Sequence, residues 1–135
     1  MSTEEQVEAC ISACNPEVIM HTNSTYPCPP SELNMNYILH LREKYSNKEI
    51  GYSGHEYGIV TTFGAVALGA EWVERHITWD RNMWGSDQSS SVEIPGLIKL
   101  VKGCNDVVES TMYPPQDRII FEGERAKMES LRPSK

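Results

Sequence analysis

Two histidines, His55 and His76, stand 21 residues apart, each where an apolar run gives way to polar residues. The first closes "EIGYSGH". The second closes "EWVERH" and opens "ITWDRNMWGSDQSSS", which carries Asp80, Asn82, Asp87 and Gln88. Imidazole nitrogen suits first-row divalent metals such as Mn, Fe or Zn. A single loop histidine is more often only a polar loop residue; two at the ends of neighbouring strands are harder to read that way. In "EWVERHI" the strand period puts Glu74 and His76 on one face and Val73, Arg75 and Ile77 on the other. Charge on an inward face is costly unless it is paired or coordinating, so the pattern points to a metal or ligand site. Asp87 has a second reading, as the cap of the helix after its Gly/Ser loop. Trp79 and Trp84 are expected in the core, with sugar stacking as the alternative. His21 and His40 lack such a context, and His40 falls mid-helix as a surface or packing residue.

These side chains need elements to position them. A capping Ser2 or Thr3 followed by Glu4 and Glu5 predicts a helix to about Ala13, stopped at Asn15-Pro16. "EVIMHT" is a short apolar run, a buried strand. "NSTYPCPPSE" is a proline-rich loop, with Tyr26-Pro27 a rigid turn. Ser31-Glu32-Leu33 opens a second helix, with Leu33, Tyr37, Ile38 and Leu41 at helical spacing. "KEIGYSGHEYG" reads as strand then Gly-rich loop, "IVTTFGAVALGA" as a small-residue helix and "EWVERHITW" as a third strand. "DRNMWGSDQSSSVEIPG" reads as a long polar loop and "LIKLVKGCNDVVES" as a helix. Strands starting near 18, 49 and 71 alternate with helices, which predicts a parallel α/β sheet with right-handed crossovers. Ligands bind beyond the carboxyl ends of such strands. Thr22, Ser24 and Tyr26 follow the first strand, Ser53 and His55 end the second, and His76, Asp80 and the loop to Ser91 follow the third. Residues 1–110 form this unit; residues 111–135 are a tail that opens with two prolines, Pro114 and Pro115, and then shows no obvious core face.

A chain of 135 residues is at most one ordinary domain. A hydrophobic fraction of 39% and a charged fraction of 23% are globular values. Net charge −7 argues against nonspecific binding to nucleic acid or anionic membrane. No run approaches the ~20 apolar residues of a membrane span, and the acidic start "MSTEEQVEAC" has no signal-peptide pattern. The expectation is a soluble, cytoplasmic protein. Cys10, Cys14, Cys28 and Cys104 contain no C-x-x-C pair and are expected as buried or half-buried free thiols.

At the strand ends the words themselves carry a resemblance. "HTNSTYPCPPSELN", "GYSGHEYG", "ALGAEWVERHITWDRNMWGSDQSSSVE" and "RIIFEGE" resemble the N-acetylneuraminate (sialic acid) synthase family across nearly the whole chain. The resemblance implies a partial TIM barrel: the last three strand–helix units of a (β/α)8 fold. It implies condensation of phosphoenolpyruvate with N-acetylmannosamine to N-acetylneuraminate, with release of phosphate. By the same resemblance Mn2+ or Mg2+ binds His55 and His76 and polarises the open-chain aldehyde of the sugar. Ser53 falls on a position that contacts phosphoenolpyruvate; Tyr26 and Asp87 fall on positions that contact sugar hydroxyls. Ser24 stands where some members have a substrate-binding asparagine, with Asn23 beside it. Gly54 stands where family loops often read "GYSDH", which removes an acid. No residue of this segment is assigned as the catalytic group.

A full barrel takes about 250 residues. The family's first half, with an essential glutamate and lysines for phosphoenolpyruvate, is not in this sequence, nor is the antifreeze-like domain that follows the barrel. The expectation is therefore a gene fragment, half of a split enzyme that complements a missing N-terminal half, or a homo-oligomer, without synthase activity by itself. The alternatives are a non-catalytic sugar-, metal- or partner-binding module derived from such an enzyme, and a synthase segment for another nonulosonic acid or a capsule or spore-coat sugar.

Overall fold

Three strands, β1 (Val18–Thr22), β2 (Glu49–Gly54) and β3 (Trp72–Arg75), pair side by side in the order β1-β2-β3, all parallel. The computed structural model describes residues 1–112 and 118–132; Pro114 and Pro115, expected to open the tail, lie outside the described residues. The fold is α/β with parallel strands in an open sheet rather than a closed barrel among the described residues.

Register decides which side chains share a face, because partners in a parallel pair point the same way. Thr22 pairs with Ser53, and Ser53 with Glu74. His21 pairs with Tyr52, and Gly54 with Arg75. The Ile50 and Tyr52 side carries the helices. Ile38 and Leu41 of α2 (Tyr37–Lys44), Ala65 of α3 (Val60–Ala67) and Ala70 close over Ile50 and Tyr52, all nearly inaccessible to water. Burying an apolar side chain of this size is worth about 1.5–3 kcal/mol, so this face holds the sheet to its helices. The helix α4 (Ile94–Thr111) lies against α3. Gly103 allows that approach, because a Cβ there would fall 2.5 Å from the Phe63 ring.

The opposite face has no covering layer among the described residues. Glu49 and Glu74 are exposed, and Trp72 is 52% exposed, its indole donating to Glu49 at 2.5 Å. On α4, Ile98, Val101, Val108 and Met112 are also exposed.

Three elements differ from the sequence expectation. The second helix begins at Tyr37, not Ser31; Pro30–Glu32 form a separate 3-10 turn. Leu33, after that turn, is still buried, and its carbonyl bonds His21 Nε2 at 2.8 Å. The third strand breaks at His76 and resumes as β4 (Ile77–Thr78), which pairs in parallel with a two-residue strand, β5 (Val92–Glu93). So the long polar loop contains a further strand, and α4 follows β5. A two-residue strand has no hydrophobic period to read. The first helix, α1 (Glu4–Cys14), starts on a Thr3–Gln6 capping box and ends at Asn15 in the left-handed region (φ 44°). In the tail, Glu122–Leu131 form α5, none of whose residues is buried.

Candidate functional site

The carboxyl ends of the strands converge on a cluster of rings. His55 follows β2 directly, and its Nδ1 lies 2.7 Å from the Asn23 carbonyl. A carbonyl only accepts, so Nδ1 carries the proton and the lone pair of the neutral ring is on Nε2. His76 sits at the break between β3 and β4, and Val92 N–H donates to its carbonyl at 2.8 Å. Its Nδ1 faces Asp87 Oδ2 at 3.6 Å. The two imidazoles stand edge to face, centroids 5.3 Å apart. The Tyr26 ring packs on both, at 5.2 Å from His55 and 4.8 Å from His76.

Tyr26 also ties down the loop beyond β4. Its hydroxyl donates to the Asp87 carbonyl at 3.1 Å, and Ser91 Oγ donates to the same carbonyl at 2.7 Å. The Asp87 carboxylate accepts from Ser86 Oγ at 2.8 Å and leaves its other oxygen toward His76. It makes no side-chain cap for the turn that follows, so the capping alternative is set aside. The loop's other polar groups fold the loop itself. Asp80 Oδ1 accepts from Asn82 N–H at 2.7 Å, Thr78 Oγ1 donates to Gln88, and Glu93 accepts from Arg81 N–H.

Of the residues singled out in the sequence, Tyr26, His55, His76 and Asp87 come together. Ser53 lies on the same face below them, buried, with its Oγ donating to Glu74 at 2.7 Å. Ser24 is exposed and takes no part in the hydrogen bonds of this cluster; Asn23 beside it is the residue used there, through its carbonyl to His55 and its amide to the Glu32 carbonyl at 2.9 Å. Trp79 and Trp84 are not in the core: they are 82% and 98% exposed, because their loop runs over the rim and packs through polar residues. Cys10 and Cys14 are exposed, contrary to expectation, because α1 buries none of its side chains. Cys28 is buried, and burial raises its thiol pKa.

A second set of groups was missed in the sequence. Behind the histidines, Glu56 and Arg75 form an ion pair at 3.0 Å, with side chains 1% and 3% exposed. Tyr52 donates to Glu56 at 2.8 Å; burial first, then this bond, pushes the phenol well above its ordinary range. Gly54 is required here. A Cβ at this position would fall 2.8 Å from Glu56 Oε2 and 2.9 Å from the Tyr52 ring. The acid absent at 54 is therefore answered by a carboxylate two residues later, on the helix side of the strand.

Two imidazoles, each with Nδ1 turned to a protein oxygen, are a chemically suitable part of a divalent-metal ligand set. Among the described residues no group of three His, Cys, Asp or Glu side chains completes such a set, so water or substrate oxygens would fill the other positions. No helix of the described residues is long and apolar enough to cross a membrane.

Parallel strands, helices on one face and polar side chains gathered at the strand carboxyl ends define a segment of an α/β barrel. The chain belongs to the NeuB family, whose sequence model matches residues 1–113. It is 37% identical over 121 residues to human N-acetylneuraminate-9-phosphate synthase, which covers 89% of this chain and 33% of that protein. It is 39% identical over 83 residues to the N,N'-diacetyllegionaminic acid synthase of Campylobacter jejuni, covering 62% of this chain and 24% of that one. The sialic acid synthetase of Leptospira borgpetersenii serovar Hardjo-bovis, solved with citrate, superposes with a TM-score of 0.83 at 31% identity, over 99% of this chain and 48% of that chain. The chain spans about a third of the human relative's length.

Proposed function

We propose that this chain supplies the metal- and sugar-binding side of a sialic-acid-synthase-type active site, which joins phosphoenolpyruvate to N-acetylmannosamine. The observation that carries the reading is the pair of imidazoles, 5.3 Å apart at the strand ends. His55 and His76 would hold Mn2+ or Mg2+ through Nε2. When bound, the cation supplies Lewis-acid polarisation of the sugar's aldehyde oxygen. Asp87, whose carboxylate is about half exposed beside His76, accepts from sugar hydroxyls. Tyr26 keeps both rings and the Asp87 loop in place. The Ser53 hydroxyl donates its hydrogen bond to Glu74, which leaves the Ser53 oxygen as an acceptor and makes a direct donation to phosphoenolpyruvate depend on Glu74 letting go. The human relative's name puts a phosphate on its product, which favours N-acetylmannosamine 6-phosphate as the second candidate sugar.

The open sheet face and the apolar stripe on α4 favour assembly with further barrel strands, from a complementing polypeptide or a second copy. The test mixes the chain, Mn2+, phosphoenolpyruvate and either sugar, with and without a polypeptide carrying the remaining strands of a relative. Phosphate release is followed, and the product is identified by mass. The expected result is no turnover by the chain alone, turnover in the complemented mixture, and its loss in His55→Ala. Metal and sugar binding without turnover in the complemented mixture would favour the non-catalytic binding module instead.

A further inference from the structure

We propose that the buried Glu56–Arg75 pair is a positioning device that sets the separation of His55 and His76, and through it the grip on a divalent cation. The inference rests on the metal-site reading above. Glu56 directly follows His55, and Arg75 directly precedes His76. Each histidine is thus one peptide bond from a member of the pair. Arg75 does not merely meet a carboxylate. Its Nη1 donates to Glu56 Oε1 at 3.0 Å, to the Gly58 carbonyl at 2.8 Å and to Thr62 Oγ1 at 2.9 Å, and its Nη2 donates to the Glu56 backbone carbonyl at 2.7 Å. Glu56 also accepts from Tyr52 and from Thr61 Oγ1. The guanidinium therefore fixes the chain on the far side of His55, while the Asn23 carbonyl fixes the ring.

Strand geometry completes the device. Successive side chains alternate faces, so drawing Arg75 to the helix side turns His76 to the mouth. A buried ion pair is weak evidence for stability, since apolar replacements of both partners are often neutral. A rigid planar fork that reaches backbone as well as side chain is evidence for geometry.

The test uses the full chain and two readouts. In the metal-free chain, nuclear Overhauser contacts between the imidazole protons of His55 and His76 report their separation. Co2+ titration, followed by its visible absorption, reports the grip. The variant Glu56→Leu/Arg75→Met removes both charges together; Arg75→Lys keeps the charge but loses the fork and keeps the comparison available if the double variant unfolds. The expected result is a folded double variant that loses the ring–ring contact and binds Co2+ about 10–100-fold more weakly, the loss typical of an outer partner of a metal ligand. Arg75→Lys shows a smaller loss in the same direction. His40→Ala, whose imidazole lies away on α2 beside Glu4, keeps wild-type affinity. A folded double variant, or Arg75→Lys, with wild-type ring contact and wild-type Co2+ affinity overturns the proposal. If instead wild-type Co2+ binding is indifferent to His55→Ala, the metal-site reading fails, and the ring contact alone still decides whether the pair positions the histidines.

Discussion

His55 and His76 meet edge to face with centroids 5.3 Å apart, though neither touches the other's strand through its own backbone hydrogen bonds at that point. His55 is aimed by the Asn23 carbonyl beyond β1, and His76 is held by Val92 of β5. The meeting of two rings is thus a property of four strands, and local changes around them should report on it.

Tyr26→Phe removes one hydroxyl that donates to the Asp87 carbonyl. The ring contacts remain. A net hydrogen bond is worth about 1 kcal/mol, so urea unfolding should show a loss of about that size. An unchanged midpoint would mean that Ser91 alone anchors the loop.

Gly54→Ala places a methyl group against Glu56, Tyr52 and the Arg75 stem, at 2.8, 2.9 and 3.0 Å. All three are locked in one buried network, so none can swing aside. Overpacking of this kind costs about 1–3 kcal/mol. Thermal unfolding measures it, and a neutral result would contradict the tight geometry behind the histidines.

The thiols should react in two classes. Cys10 and Cys14 are exposed, and Cys28 is buried with its pKa raised by that burial. Under native conditions maleimide should label Cys10 and Cys14 quickly and Cys28 only after denaturant is added. Mass mapping of the labelled peptides checks this; early labelling of Cys28 would show that the loop after the first strand opens readily.

Docking of α1 should weaken in acid. Lys44, first, and then the Tyr37 hydroxyl hold the Glu4 carboxyl down from 4.5 to about 2. The folded value lies below the unfolded one, so the contribution of Glu4 is complete above about pH 4.5 and fades as pH falls towards 2. Limited proteolysis of the first helix across that window should show growing cleavage in wild type. In Glu4→Gln the cleavage should already be raised at neutral pH, and the added change with acid should be smaller. Parallel curves for the two proteins would contradict the assignment.

The parallel strand–helix order was legible because β1, β2 and β3 are apolar runs separated by turn residues. The break at His76 and the strand β5 were not, since two residues carry no period. The mouth residues Tyr26, His55, His76 and Asp87 were legible as polar groups at strand ends. Glu56 and Arg75 were not, although one clue was present: Arg75 alternates onto the face with Val73 and Ile77, where a charge needs a buried partner. That partner, Glu56, sits in a Gly-rich loop whose path only the folded chain reveals. Trp79 and Trp84 misled because large aromatic residues usually fill cores, whereas their loop is held by Asp80, Thr78 and Gln88 instead.

Calorimetric titration of the chain with Mn2+ tests the central claim most directly. One cation should bind per chain, with binding lost in both His55→Ala and His76→Ala and retained in His40→Ala, whose imidazole lies away on α2 beside Glu4. Mn2+ binding that survives both mouth substitutions, or none in the wild-type chain, would contradict it.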